Sequence, residues 1–164
     1  MSNPPYHTVL EKFPDHAKAI GIASIEIANL DIFLGYLFAA ILRVPFAAGS
    51  AVFLSPNGAT ARLDMLKAAI DEMIQDGSNG KKMLLSIQKR ARKVVTDRDA
   101  MIHNSWGTNA AGEVATRDIR AHKPMTPVPL EQLEKSILDI RLLIGDVQAQ
   151  TAKLERDLAS AKAR

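Results

Sequence analysis

A chain of 164 residues with 47% apolar and 24% charged side chains has the size of one domain and enough apolar material for a buried core. It contains no cysteine, which excludes disulfides, thiol chemistry and cysteine-ligated zinc and fits a reducing cytoplasm. The net charge of +3 is mild, and aromatic residues at 5% are too few for a base-stacking platform, so nucleic-acid contact has to rest on locally placed charge.

Taken in order, residues 1–13 hold Pro4 and Pro5 among polar residues and read as an irregular arm without a secretory signal. A first helix is predicted from Pro14–Asp15, where Pro suits the first turn and Asp the positive end of the dipole, to about Arg43, ahead of Pro45. Ile20, Ile27, Leu30, Leu34, Leu37 and Ile41 keep helical spacing, and Ile25, Ile32, Phe33 and Phe38 widen the stripe nearly all the way round. A helix of that kind lies at the centre of a bundle or in a dimer interface, and makes Glu26, Asn29 and Asp31 polar guests to be explained. Its longest apolar run, Ile32–Leu42, is too short to span a bilayer, so a soluble protein without a membrane partner is expected.

Residues 44–59 have the Pro and Gly punctuation of a connector, with apolar residues that can pack or form a short helical turn. A second helix covers Thr60 to Gln75 with Leu63, Leu66, Ile70 and Ile74 on one face, and Asp76–Gly80 is a turn in which Asn79 is the expected N-cap. The third helix runs from Gly80 to His103; Leu84, Ile87, Ala91 and Val94 form its stripe, and Arg98 stands where the next hydrophobe belongs. After it, Ala110–Gly112 reads as a turn and Glu113–Arg120 as a short hairpin or loop. Pro124, Pro127 and Pro129 lead into a final helix with a three–four seam from Leu130 to Leu158, frayed over residues 150–164. The expected fold is therefore all-α, a four-helix up-and-down bundle in one domain spanning residues 1–164, with a hairpin or loop between helices three and four.

Chemistry concentrates at the end of the third helix. Between Lys81 and Arg98 seven basic residues stand against one acidic residue, Asp97. Such a run either tracks a phosphate backbone, with Lys89, Arg90, Arg92 and Lys93 foremost, or forms a solvated face balanced by acids on a neighbour. Arg98, Asp99 and His103 follow, with Asn104 beside them. Asp99 and His103 are four apart and face one another on a helix, whereas Arg98 and His103 diverge by about 140°. Imidazole can shuttle a proton to and from a ribose hydroxyl, and guanidinium can neutralise charge growing on phosphoryl oxygens. No two histidines have metal-ligand spacing, no phosphate-binding glycine loop is present, and neither metal nor cofactor is expected.

The order Arg98, Asp99, three residues, His103, late in a helical chain, resembles the signature of the HEPN superfamily. That resemblance implies an α-helical bundle acting as a homodimer, a metal-independent endoribonuclease on single-stranded RNA whose Arg and His from both protomers line one cleft. It implies His103 as general acid and base, Arg98 as transition-state stabiliser and Asp99 as orienter of the imidazole. Lys89, Arg90, Arg92, Lys93 and Asn104 would contact RNA. It further implies a cytoplasmic toxin or stress effector, with a neutralising protein partner. Two other readings remain open. Arg98 can be an ion-pair staple to Glu26 or Asp31 in a non-enzymatic helical dimerisation or interaction module, or the basic face can bind nucleic acid without cutting it.

Overall fold

The computed structural model describes residues 9–118 and 124–162. Among them helix dominates: α1 (Pro14–Leu42), α2 (Phe46–Leu54), α3 (Ala59–Met73), α4 (Asn79–His103) and α5 (Leu130–Lys162). A short 3-10 turn, Val9–Lys12, precedes α1, and strands β1 (Ser105–Thr108), β2 (Val114–Arg117) and β3 (Thr126–Pro127) form one antiparallel sheet in that order. The mainly helical class expected from the periodicity is present. The connector, where a short helical turn at most was expected, holds the nine-residue α2 as a fifth helix, and α5 continues through Lys162 where fraying was expected from residue 150. The expected arm falls on residues 1–8, which lie outside the described residues, and on the 3-10 turn. The hairpin expected within Glu113–Arg120 is instead formed by β1 and β2, so that segment supplies only its second strand; residues 119–120 lie outside the described residues.

The chain divides into two compact units, one made of Met1–Ile25 and Asp97–Asp139, the other of Glu26–Thr96 and Ile140–Arg164. In the second unit, Leu34, Leu37, Leu63, Leu66, Ile87 and Val147 are almost fully buried with Phe53 in one core. Two of the three polar guests of α1, Glu26 and Asp31, form ion pairs between helices, while Asn29 is partly exposed. Glu26 accepts from Arg141 Nε at 2.7 Å and Asp31 from Arg62 Nη2 at 2.7 Å. As a whole α1 is long and apolar enough to cross a membrane, which its eleven-residue uninterrupted run conceals. Burial of 44% of its most apolar window, together with these pairs, is the pattern of a helix packed among other helices.

The end of α1 is set by backbone chemistry. Arg43 N–H donates to Ala40 O and Val44 N–H to Ala39 O, with Arg43 at φ 59°, the left-handed closing position that glycine usually holds. Pro45 follows and prevents continuation. The chain then turns back so that Gly49 of α2 meets α1; a Cβ at Gly49 would lie 2.7 Å from Ala39 Cα. Alanine favours helix over glycine by about 1 kcal/mol, but that clash is with backbone and cannot be relieved by a rotamer. Gly49→Ala is therefore expected to destabilise by about 1–3 kcal/mol in urea titrations, not to stabilise.

Turn 74–78 is held by charge. Buried Lys81 of α4 donates from Nζ to Asp76 and to the Asp71 carbonyl at 3.0 Å, capping an otherwise open carbonyl near the end of α3. Ser78, not Asn79, is the N-cap of α4, its Oγ accepting from Lys81 N–H at 3.1 Å. The ammonium of Lys67, and after it that of Lys81, holds the Asp71 carboxyl below its ordinary value of 3.8. A carboxyl depressed on folding lends stability above its unfolded pKa and loses it as pH falls through the folded one. Melting temperature should accordingly fall as pH is lowered below about 4, and Lys67→Met should flatten this acid limb.

The first unit has a much smaller core of Ala19, Ala23, Leu133 and Ile137, with Met101 and Val128 packed against it. Its hairpin is built on Asn109, whose Oδ1 accepts from Ala111 and Glu113 N–H, each at 3.0 Å, while Gly112 takes φ 81°. Thr108 thereby pairs with Val114, and Trp106 with Thr116. Proline at β3 is compatible with its edge position. His16 Nε2–H donates to Val128 O at 3.1 Å, tying the first turn of α1 to the segment beyond β3.

Candidate functional site

Helix α4 ends where Asn104 N–H makes its last turn bond to Ala100 O. The chain then enters β1, and the Trp106 indole N–H donates back to Met101 O at 2.9 Å. The partly buried Trp106 is thus a cap for a terminal helix carbonyl. This fixes the direction in which the last two turns of α4 present Arg98, Asp99 and His103.

The buried side of α4 runs through Leu84, Ile87, Gln88 and Ala91 and ends at Val95. Arg98 therefore does not lie on a buried stripe: its side chain is 40% exposed, and Ile102 one turn further is 44% exposed. The expectation of a buried charge is corrected, because these turns belong to the unit with the smaller core, which leaves room for solvent. Arg98 Nη1 lies 3.3 Å from Asp99 Oδ1, a contact between sequence neighbours. Among the described residues Asp99 bonds Arg98 and not His103, so the helical i,i+4 spacing does not by itself produce a carboxylate–imidazole pair. His103 is exposed and Asn104 half-buried. The α-helix persists through His103, so Arg98 and His103 leave it about 140° apart.

The two acids that would staple Arg98 are committed elsewhere, Glu26 to Arg141 and Asp31 to Arg62. The basic face is divided. Arg90 pairs with Asp146 of α5 and Arg92 with Asp64 of α3, which is the balanced-face pattern, while Lys89 is exposed. Lys93 also has an interaction partner. Among the described residues no three His, Cys, Asp or Glu side chains cluster as a metal-binding group. His7 and His122 lie outside the described residues.

Sequence reasoning missed Lys81 as the keystone of the 74–78 turn and read no more than a short helical turn where α2 runs for nine residues. For Lys81 the signal was available in Asp71, Asp76 and Lys81 spaced at five, which a turn folds together. For α2 the run FAAGSAVFL gave no period to read. What the cluster offers chemically is an accessible guanidinium and an accessible imidazole on one helix end, facing apart. Comparison of the chain with family models, with curated proteins and with solved structures gave no match.

Proposed function

We propose that the protein is a metal-independent endoribonuclease of HEPN-like type that cleaves single-stranded RNA by attack of the ribose 2′-hydroxyl. The observation that carries this reading is the availability of Arg98 and His103. Both reach solvent, and the acids that would turn Arg98 into a staple are paired with Arg141 and Arg62. His103 accepts the 2′-hydroxyl proton as O2′ attacks phosphorus. The P–O5′ bond breaks, and an imidazolium returns the proton to O5′. Arg98 bonds the non-bridging oxygens as their charge grows. Asp99 holds the Arg98 fork and, by rotating, meets His103 one turn on. Because Arg98 and His103 diverge on one helix, a shared cleft takes them from two copies, and the active species is a homodimer.

Lys89, Arg90, Arg92 and Lys93, on earlier turns of the same helix, supply phosphate contacts, with Asn104 at the cluster itself. Arg90 and Arg92 do so in exchange for Asp146 and Asp64, so binding falls steeply with salt. Cytoplasmic action as a toxin or stress effector with a neutralising protein partner completes the reading. A second reading, a non-enzymatic helical interaction module, is favoured by that same pairing of Arg90 and Arg92 with acids on neighbouring helices.

The test is incubation of the purified chain with labelled single-stranded RNAs in excess EDTA, followed by analysis of product ends. Ends bearing 2′,3′-cyclic phosphate and 5′-hydroxyl are expected. RNA left intact by folded protein, across several sequences, would select the interaction module.

A further inference from the structure

We infer that the unit formed by Glu26–Thr96 and Ile140–Arg164 carries a self-association surface, on which α2 of one copy seats in the α1–α5 groove of a second copy and Arg43 meets the partner's Glu155. The nine residues of α2, FAAGSAVFL, contain no charge, and only Gly49 and Phe53 are buried. Its solvent side therefore consists of apolar residues: Phe46 is 48% exposed, Val52 53% and Leu54 43%, and Val44 just before it 39%. A helix apolar on every side is ordinarily covered on every side, and one short helix with this outer face marks an association surface.

Against the start of α2 lies a groove of about 910 Å³. One wall is the α1 face Phe33, Tyr36, Ala40 and Arg43; the other is the α5 face Gln148, Ala152, Glu155 and Leu158. These residues recur at steps of three and four on both helices. The groove is accordingly a trough between two helices with alanine on its floor, the shape that accepts a third helix by its apolar side. Val44, Pro45 and Phe46 line it too, so groove and apolar helix are one continuous surface. The edge-on contact of Phe46 with Tyr36 fixes where they join.

Charge selects a second copy as the occupant. Arg43 and Glu155 both line the groove, yet among the described residues neither side chain has an ion-pair or hydrogen-bond partner. One cation and one anion left unpaired in the same groove are what a two-fold interface uses, since rotation brings each onto the opposite charge of the other copy. The backbone of Arg43 adds to this. The left-handed position closing α1 is one where glycine carries no steric cost, and here it holds a long cationic side chain over the groove. The surface lies within one unit and does not depend on RNA cleavage.

The test is sedimentation equilibrium of the full chain, wild type against Val52→Asp, Arg43→Glu, Glu155→Arg and the double variant Arg43→Glu/Glu155→Arg, with folding checked by circular dichroism. Wild type is expected at twice the monomer mass of 17.9 kDa or a multiple of it, and Val52→Asp at half the wild-type mass. Each single charge reversal should weaken association by about tenfold or more, and the double variant should restore it. The restoration is read even if Val52→Asp fails to fold. A monomeric wild type, or an assembly whose mass is indifferent to all four variants, overturns the inference. So does a monomeric wild type that co-sediments with phosphatidylcholine–phosphatidylglycerol vesicles through α2, which assigns the face to lipid.

Discussion

His103→Ala should reduce the rate of RNA cleavage by about a hundred- to ten-thousand-fold, the usual contribution of a positioned general acid–base group. It should do so with little change in stability, because His103 is exposed at the last residue of α4. Arg98→Ala should cost about a hundred- to a thousand-fold, and Arg98→Lys should recover little of it, since an ammonium keeps the charge but not the fork that grips two phosphoryl oxygens. The Arg98–Asp99 contact is half-exposed and between neighbours, so its removal should change the unfolding free energy by no more than about 0.5 kcal/mol. Single-turnover rates on one labelled RNA, with urea titrations of the same preparations, separate catalytic from structural roles. Mixing the Arg98→Ala and His103→Ala proteins adds a sharper readout. If the cleft is shared, mixed dimers hold one intact Arg98 and one intact His103 and regain activity, whereas a site within one copy stays dead. Full activity in His103→Ala would remove the imidazole from the mechanism.

Phe53→Ala should destabilise the fold by about 3–5 kcal/mol, the largest stability effect expected of any single change. Phe53 is fully buried, packs at a tilt against Phe38 with ring centres 5.5 Å apart, and lies close to Gly35 of α1. Truncation leaves a void between α1 and α2 that the helices cannot close, because the close approach at Gly49 already sets their separation. Against a total of about 5–15 kcal/mol for a domain of this kind, that loss consumes much of the margin. The urea midpoint should drop sharply while the slope of the transition is retained. Leu142→Ala, on α5 at 56% exposure, is the matched control and should stay within about 0.5 kcal/mol of wild type. Similar losses for both would mean that α2 is not packed as described.

The sequence by itself determined where helices begin and end when the cause is local. Proline at residue 14 and at residue 45 bounds α1 almost to the residue, and the three–four spacing of Leu63, Leu66 and Ile70 marks the buried face of α3. The turn before Glu113 was equally legible, since Asn and Gly at its corners supply bonds and backbone freedom that act over four residues. It also brought Arg98, Asp99 and His103 together as a motif, because spacing along one helix is a local property. What only the tertiary structure decided is which groups are partnered and which are exposed. The three–four stripe of α4 predicts burial up to Arg98, but burial stops at Val95 because the surrounding core becomes small there. Helical spacing puts Asp99 opposite His103, yet a carboxylate on a flexible stem takes the nearer guanidinium. Glu26, Asp31, Arg90 and Arg92 find partners 28 to 115 residues away, and no window along the chain contains that information. The same holds for α2, whose uncharged run has no period: whether its outer face is core or surface depends on what packs against it, and that is set by the fold.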